Sequence, residues 1–203
     1  MRDPQPGRHG ENRPYLLWRL DRPWRSLATA PLGGGWGERA WVLNAQVGLD
    51  YDRLDPDAHL AEIAAEAGVA GPGVGMMTAA DLTPGTAEDG GVRAWATVGV
   101  SAPTWAADAD DAMTAWVPGT INVVVAVPAA LADAALVNLV ATATEAKCQA
   151  LAEARVPGTG TASDAVCVLC RPEGPAAPFG GPRSTWGARV ARAVHAAVGE
   201  RLL

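Results

Sequence analysis

Residues 118–169, PGTINVVVAVPAALADAALVNLVATATEAKCQALAEARVPGTGTASDAVCVL, decide how this chain folds. Val123 to Val127 is a continuous β-branched apolar run bounded by Gly119 and Pro128, the pattern of a strand covered on both faces. From Leu131 to Arg155 good helix formers follow one another, with no Gly or Pro until Pro157-Gly158 stops them. A second buried strand is expected at Val166 to Leu169. Between helix and strand the loop 158–164 carries Thr159, Thr161, Ser163 and Asp164 beside two glycines. On the helix, Asn138, Thr142, Glu145 and Gln149 recur at spacings of four, three and four, which predicts one shared polar face. That face and the hydroxyl-rich loop are expected to converge at the ends of the two strands, and this is where the sequence places a site.

Working outward, Met1 to Pro14 is rich in Pro, Gly and Arg and has no periodicity, so it reads as a disordered tail, with one domain over 15–203. Strands are expected at Tyr15–Leu20, Trp24–Ala30, Trp41–Asn44, Gly73–Asp81 and Val92–Val100, with Gly33-Gly34-Gly35 as a turn. Asp55-Pro56-Asp57 reads as an N-cap, a proline at the first helical position and an acid in the first turn, opening a helix that ends at Gly68. His59 falls on its surface or edge. A last helix starts near Ser184, and Arg183 and Ser184 ahead of it form a loop suited to an anionic or amide group. The aspartates within 106–115 lack EF-hand spacing and read as solvated. The fold class is mixed α/β, layered sheets flanked by helices.

Composition excludes several functions. A net charge of −6 over 203 residues argues against a nucleic-acid binder, which needs a cationic surface. No apolar run reaches the ~20 residues that span a bilayer, and the polar first residues do not read as a signal peptide. The expected setting is the cytoplasm. Three cysteines make no disulfide framework, and Cys167 and Cys170, two strand positions of opposite parity, should point to opposite faces. Three histidines without ligand spacing, and no HExxH or GxSxG, leave hydroxyl, amide, carboxylate and lysine chemistry. Thr97, Thr120, Thr159, Thr161 and Ser163 are candidate nucleophiles. Glu145, Asp164 and Lys147 are candidate acids or bases, and Asn44 and Asn122 candidate oxyanion donors. Eight tryptophans against one phenylalanine are either core fillers or a wall for a large planar ligand.

The motifs GGG (33–35), GMMTAAD (75–81), TVGV (97–100), GTIN (119–122), TEAK followed by AL (144–151), GTGTASDA (158–165) and GPRSTWG (181–187) occur in an order that resembles the adenosylcobinamide amidohydrolase family, CbiZ, over about residues 20–199. The resemblance implies hydrolysis of the amide that joins the aminopropanol arm to the corrin ring of adenosylcobinamide, yielding adenosylcobyric acid in corrinoid salvage. It implies a corrinoid as the small-molecule partner, a pocket rich in tryptophan, and no protein metal or cofactor, the cobalt being part of the substrate. A homo-oligomer is compatible with it. On that expectation the residues placed around the scissile amide are Asn44, Thr97, Asn122, Glu145, Thr161, Ser163 and Asp164, with Glu145 or Asp164 positioning or activating water and Asn122 and the 158–161 amides holding the oxyanion. Thr78, Thr120, Thr159, Arg183 and Ser184 are expected to bind substrate. The segment GTINVVVAVPAALADAAL and the loop after its helix are also similar to the aminopeptidase/ornithine acetyltransferase superfamily. That likeness implies an α-β-β-α sandwich and a self-cleaving alternative, with Thr97 and Thr78 as the strand-end threonines. A non-catalytic corrinoid binder is the other alternative.

Overall fold

The computed structural model describes residues 1–10, 12–109 and 119–203. Eight strands and three helices follow in the order β1 Gln5–His9, β2 Arg13–Ala28, β3 Gly35–Gln46, α1 Pro56–Glu66, β4 Gly73–Thr78, β5 Gly85–Asp89, β6 Val92–Gly99, β7 Thr120–Val127, α2 Asp133–Glu153, β8 Ala165–Cys170 and α3 Thr185–Gly199. The strands form one mixed sheet in the order β4-β3-β2-β8-β7-β6-β5, with β1 added to β2. The fold is therefore mixed α/β, as the alternation of strand and helix patterns requires. Part of the acidic stretch, 110–115, lies outside the described residues.

The decisive stretch folds as its residues dictate. Every residue of β7 and of β8 is buried, and the two strands run parallel with Val123 opposite Val166, joined by α2. Side chains of alternating parity then sort into two cores. Ile121, Val123, Val125 and Val127 pack with Val166, Val168 and Cys170 against Leu136, Leu139 and Leu151 of α2 and Val190 and Val194 of α3. Val124, Ala126, Ala165, Cys167 and Leu169 face the other way, onto Trp18, Trp24, Val42, Val74 and Met76. The reverse face of the first three strands of that second set, through Leu17, Trp41 and Leu43, receives Leu60 and Ile63 of α1. Two folded-over portions of one sheet thus lie between α1 on one side and α2 and α3 on the other. Each fully buried large side chain contributes roughly 1.5–3 kcal/mol to this arrangement.

The strand β2 makes the fold-over. Its first part, Tyr15 to Arg19, pairs with Trp41 to Ala45; its last part, Arg25 to Ala28, pairs with both β3 and Cys170 to Cys167 of β8. The register shifts between Arg19 and Trp24, the kind of bulge that turns a strand from one layer into another.

Several expectations need correction. The segment 1–14 is no disordered tail: Gln5 to His9 pair antiparallel with Leu17 to Arg13, and β2 already starts at Arg13. The pairing partner is the neighbouring strand, so local composition carries no sign of it, and Pro6 is tolerated because β1 is an edge. Asp55 does not cap α1 with its side chain. Its carboxylate instead takes the Arg53 guanidinium at 2.9 and 2.8 Å. Cys167 and Cys170 do face opposite ways, one into each core, and burial pushes the Cys167 thiol up to about 12 and raises that of Cys170. Gly33 is a turn residue at φ 65°, where a Cβ would stand 1.9 Å from the Gly73 carbonyl oxygen, so only glycine lets the two chains approach. Among the described residues no helix is long and apolar enough to cross a membrane.

Candidate active site

A cavity of about 440 Å³ opens between the two sheet portions, at the end where β3 and β4 finish and β7 and β8 begin. Thr78 and Ala79 line it from the end of β4, Thr120 and Asn122 from the start of β7, and Ser163 and Ala165 from the loop into β8. The fourth side is the connection from β3 to α1, with Val47, Tyr51, Asp52, Arg53, Leu54 and Pro56. Polar side chains appear here because even-numbered positions of β4 and β7 point between the layers, and the inward run Val74, Met76, Thr78 turns polar only at its last member. The Leu54 side chain is 99% exposed and Leu49, on the same connection, 71%.

Behind the cavity lies a buried amide–hydroxyl relay. Asn122 Nδ2 donates to Asn44 Oδ1 at 2.9 Å and to the Met77 carbonyl at 3.0 Å, and Asn44 Nδ2 donates to Thr97 Oγ1 at 3.0 Å. Asn44, Thr97 and Asn122 are 1–2% exposed. Leaving such groups unpaired costs about 1–3 kcal/mol each, and the bonds they make tie β3, β4, β6 and β7 together at the cavity floor, while Asn122 Oδ1 has no partner among the described residues. Nearer the opening, Thr120 Oγ1 and Ser163 Oγ are 2.8 Å apart, and Ser163 donates to the Gly119 carbonyl at 3.0 Å.

The 158–164 loop is organised by Asp164. Its Oδ1 accepts from the Ile121 amide at 2.9 Å and from Thr161 Oγ1 at 2.6 Å, and its Oδ2 accepts from the Thr161 amide at 3.1 Å and from the Lys147 ammonium. Lys147 and Asp164 side chains are 7% and 12% exposed. Four donors saturate this carboxylate, so it holds the loop and leaves no lone pair for activating water. Lys147 reaches the loop from α2, as does Cys148, whose Sγ donates to the Thr159 carbonyl at 3.0 Å. Glu145, two positions before Lys147, is on the solvent side of α2 and is not among the residues that line the cavity. The predicted polar face of α2 divides: Thr142 is buried and donates to the Gly180 carbonyl at 3.0 Å, while Asn138, Glu145 and Gln149 are exposed.

Of the residues singled out from sequence, the structure brings Thr78, Thr120, Asn122 and Ser163 to the cavity and sets Asn44 and Thr97 behind it. Thr159 and Thr161 are occupied inside the loop, where Thr159 Oγ1 accepts from Ala106 N at 2.9 Å and the single Thr161 hydroxyl proton goes to Asp164. Arg183 and Ser184 stand elsewhere, at the start of α3 in the helical layer, where Ser184 Oγ caps the helix by accepting from Gly187 N at 3.0 Å. The anticipated tryptophan wall is absent among the described residues. Trp18, Trp24, Trp41 and Trp95 are core residues instead, and three of them find indole partners: Asp21 for Trp24, Gly71 for Trp41 and Asp3 for Trp95.

Sequence reasoning missed Tyr51 and Asp52. Tyr51 stacks on His59 with ring centroids 5.5 Å apart and an interplanar angle of 10°, its hydroxyl 3.2 Å from Nδ1. Burial raises the Tyr51 pKa; burial first, and then the Arg53 charge, lower that of His59, so the pair is neutral near pH 7. Arg53 is clamped by Asp55 and Glu62. Together these fix the wall that carries Asp52, the one carboxylate among the described cavity residues. A loop with no periodicity gives no signal for such a role, although the cluster Tyr51-Asp52-Arg53 between a strand and a capped helix was a place to look.

Comparison with known proteins now decides the family. The adenosylcobinamide amidohydrolase family (CbiZ) matches residues 2–203. The chain belongs to that family. A protein of Methanosarcina mazei named adenosylcobinamide amidohydrolase is 30% identical over 174 residues, 80% of this chain and 82% of that protein. One of Halobacterium salinarum with the same name is 51% identical over 82 residues, 40% of this chain and 35% of that protein. Members of an amidohydrolase family act on an amide bond with water, and this chain is an enzyme of that kind.

Proposed function

We propose that the protein hydrolyses the amide joining the aminopropanol arm to the corrin ring of adenosylcobinamide, releasing adenosylcobyric acid and aminopropanol (or its phosphate) for corrinoid salvage. The observation that carries this reading is the cavity itself: an apolar-walled cleft with hydroxyl and amide groups at one end and, among the described residues, one carboxylate on its wall, in a chain of this family. At about 440 Å³ it is near the lower part of the ~300–1,000 Å³ range of drug-sized sites, enough for the arm and its amide. The broad macrocycle then lies across the mouth, where the exposed side chains of Leu54 and Leu49 meet its apolar rim.

Asp52 is the base in this reading. Its carboxylate makes no hydrogen bond or ion pair among the described residues, and it takes a proton from water as the water oxygen adds to the amide carbon. The C–N bond breaks, the proton passes to the departing nitrogen, and a carboxylic acid and a free amine result. The cobalt is part of the substrate, and the step uses no metal held by the protein.

Incubation of the purified protein with adenosylcobinamide, followed by chromatography and mass analysis, tests the reading. The expected result is adenosylcobyric acid in stoichiometry with aminopropanol. Corrinoid bound by folded protein but recovered intact would instead mark a carrier.

A further inference from the structure

We infer that the Thr78 hydroxyl and the Ala79 amide N–H are the donors that hold the carbonyl oxygen of the amide under attack. The inference rests on the amide-hydrolysis reading and deepens it by assigning the oxyanion site.

The assignment follows from asking where each donor at the cavity already points. Asn122 Nδ2, the donor expected from sequence, is occupied twice, at 2.9 Å and 3.0 Å. Its orientation is fixed, because the Met77 carbonyl can only accept. Ser163 gives its proton to the Gly119 carbonyl, also acceptor-only, so Thr120 must donate to Ser163 across their 2.8 Å contact. Those two hydroxyls therefore face the cavity with lone pairs. Three amides of the neighbouring loop are occupied as well: Gly158 N by Val156 O, Thr159 N by Thr104 O and Thr161 N by Asp164. Arg53 is held by Asp55 and Glu62, and the Tyr51 hydroxyl by His59.

Thr78 differs. Its Oγ1 accepts from Ala80 N at 3.0 Å, which fixes the rotamer, while its own hydrogen has no acceptor among the described residues. The next amide, Ala79 N–H, also lacks one among the described residues. Its direction follows from the strand. Thr78 O accepts from Val47 N, so even positions of β4 bond towards β3 and odd ones towards the opposite edge. On that opposite edge Gly75 bonds Leu32 and the Met77 carbonyl takes Asn122, and Ala79 comes next in the row, at the cavity. Thr78 is 2% exposed, so its donor works with little competing water. A side-chain hydroxyl and an adjacent main-chain N–H, each with a hydrogen that no acceptor takes among the described residues and both lining the cleft, form a donor pair for developing negative charge on oxygen. The lone pairs of Thr120 and Ser163, on the facing wall, suit the N–H of the same amide.

The test compares Thr78→Val, which keeps the shape and removes the donor, with Thr78→Ser, which keeps the hydroxyl. Steady-state hydrolysis of adenosylcobinamide is measured for both and for the unaltered protein. Loss of one oxyanion donor costs about 10²–10³ in kcat. Thr78→Val should therefore lose about that factor in kcat with KM within about threefold, and Thr78→Ser should stay within about tenfold of the unaltered protein. If the valine variant does not fold, Thr78→Cys, with a weak donor of similar shape, should fall well below Thr78→Ser. Equal kcat for the donor-deficient and serine variants overturns the inference, as does a loss confined to KM. Inactivity of the unaltered protein overturns the proposed function and this assignment with it, whereas activity with equal variants overturns this assignment alone.

Discussion

The Asp164 cluster and the Thr78 corner sit at the same end of the molecule and use the same vocabulary of hydroxyl, amide and carboxylate, yet they are opposites. Around Asp164 every acceptor site is filled, by two main-chain amides, a hydroxyl and a buried ammonium. At Thr78 the hydroxyl accepts one bond and gives none, and the next amide is unpaired among the described residues. A saturated buried cluster fixes geometry, since each of its bonds is stronger at low dielectric and costly to break. Chemistry needs groups whose partners have yet to arrive. Saturation, not residue type, separates scaffold from site here.

The largest effect that can break this comparison is on the saturated side. Lys147→Ala leaves the Asp164 carboxylate uncompensated and should destabilise the fold by about 3–5 kcal/mol in denaturant titration. Activity per folded molecule should change much less, and a variant as stable as the parent would show that the pair is not the anchor of the loop. On the open side, Asp52→Asn should lower kcat about 100-fold or more with the melting temperature unchanged, because the residue is exposed and unpaired. Full activity there would move the base elsewhere. The smallest effect is expected at Glu145→Gln, an exposed helix position: stability within about 0.5 kcal/mol and unaltered turnover. A large activity loss in that variant would restore the helix face as part of the site.

Much of the fold was legible because the central residues are unambiguous. The run Val123–Val127, the uninterrupted helix formers and Val166–Leu169 become β7, α2 and β8 with small shifts of boundary. What escaped notice depended on pairing that a strand's own residues do not show. Strand β1 is ordered by β2, and β5 by its hairpin with β6, through the Gly90-Gly91 turn. The helix spacing places Thr142 and Glu145 on adjoining turns, but it cannot say where the buried arc ends, and the boundary falls between them. Lys147 is buried only because Asp164 awaits it from another element. At the cavity, the threonines and Asn122 were visible as polar ends of apolar strands, whereas the pairing that leaves the Thr78 hydrogen open and occupies the Asn122 amino group exists only in three dimensions.

The bulged strand β2 carries a consequence for how the molecule comes apart. Because it is hydrogen-bonded to β3 along most of its length and to β8 at its end, neither layer owns a complete set of strand partners without it. The two halves should therefore behave as one cooperative unit, with amides of the 25–28 segment and of β7 exchanging with solvent through the same global opening.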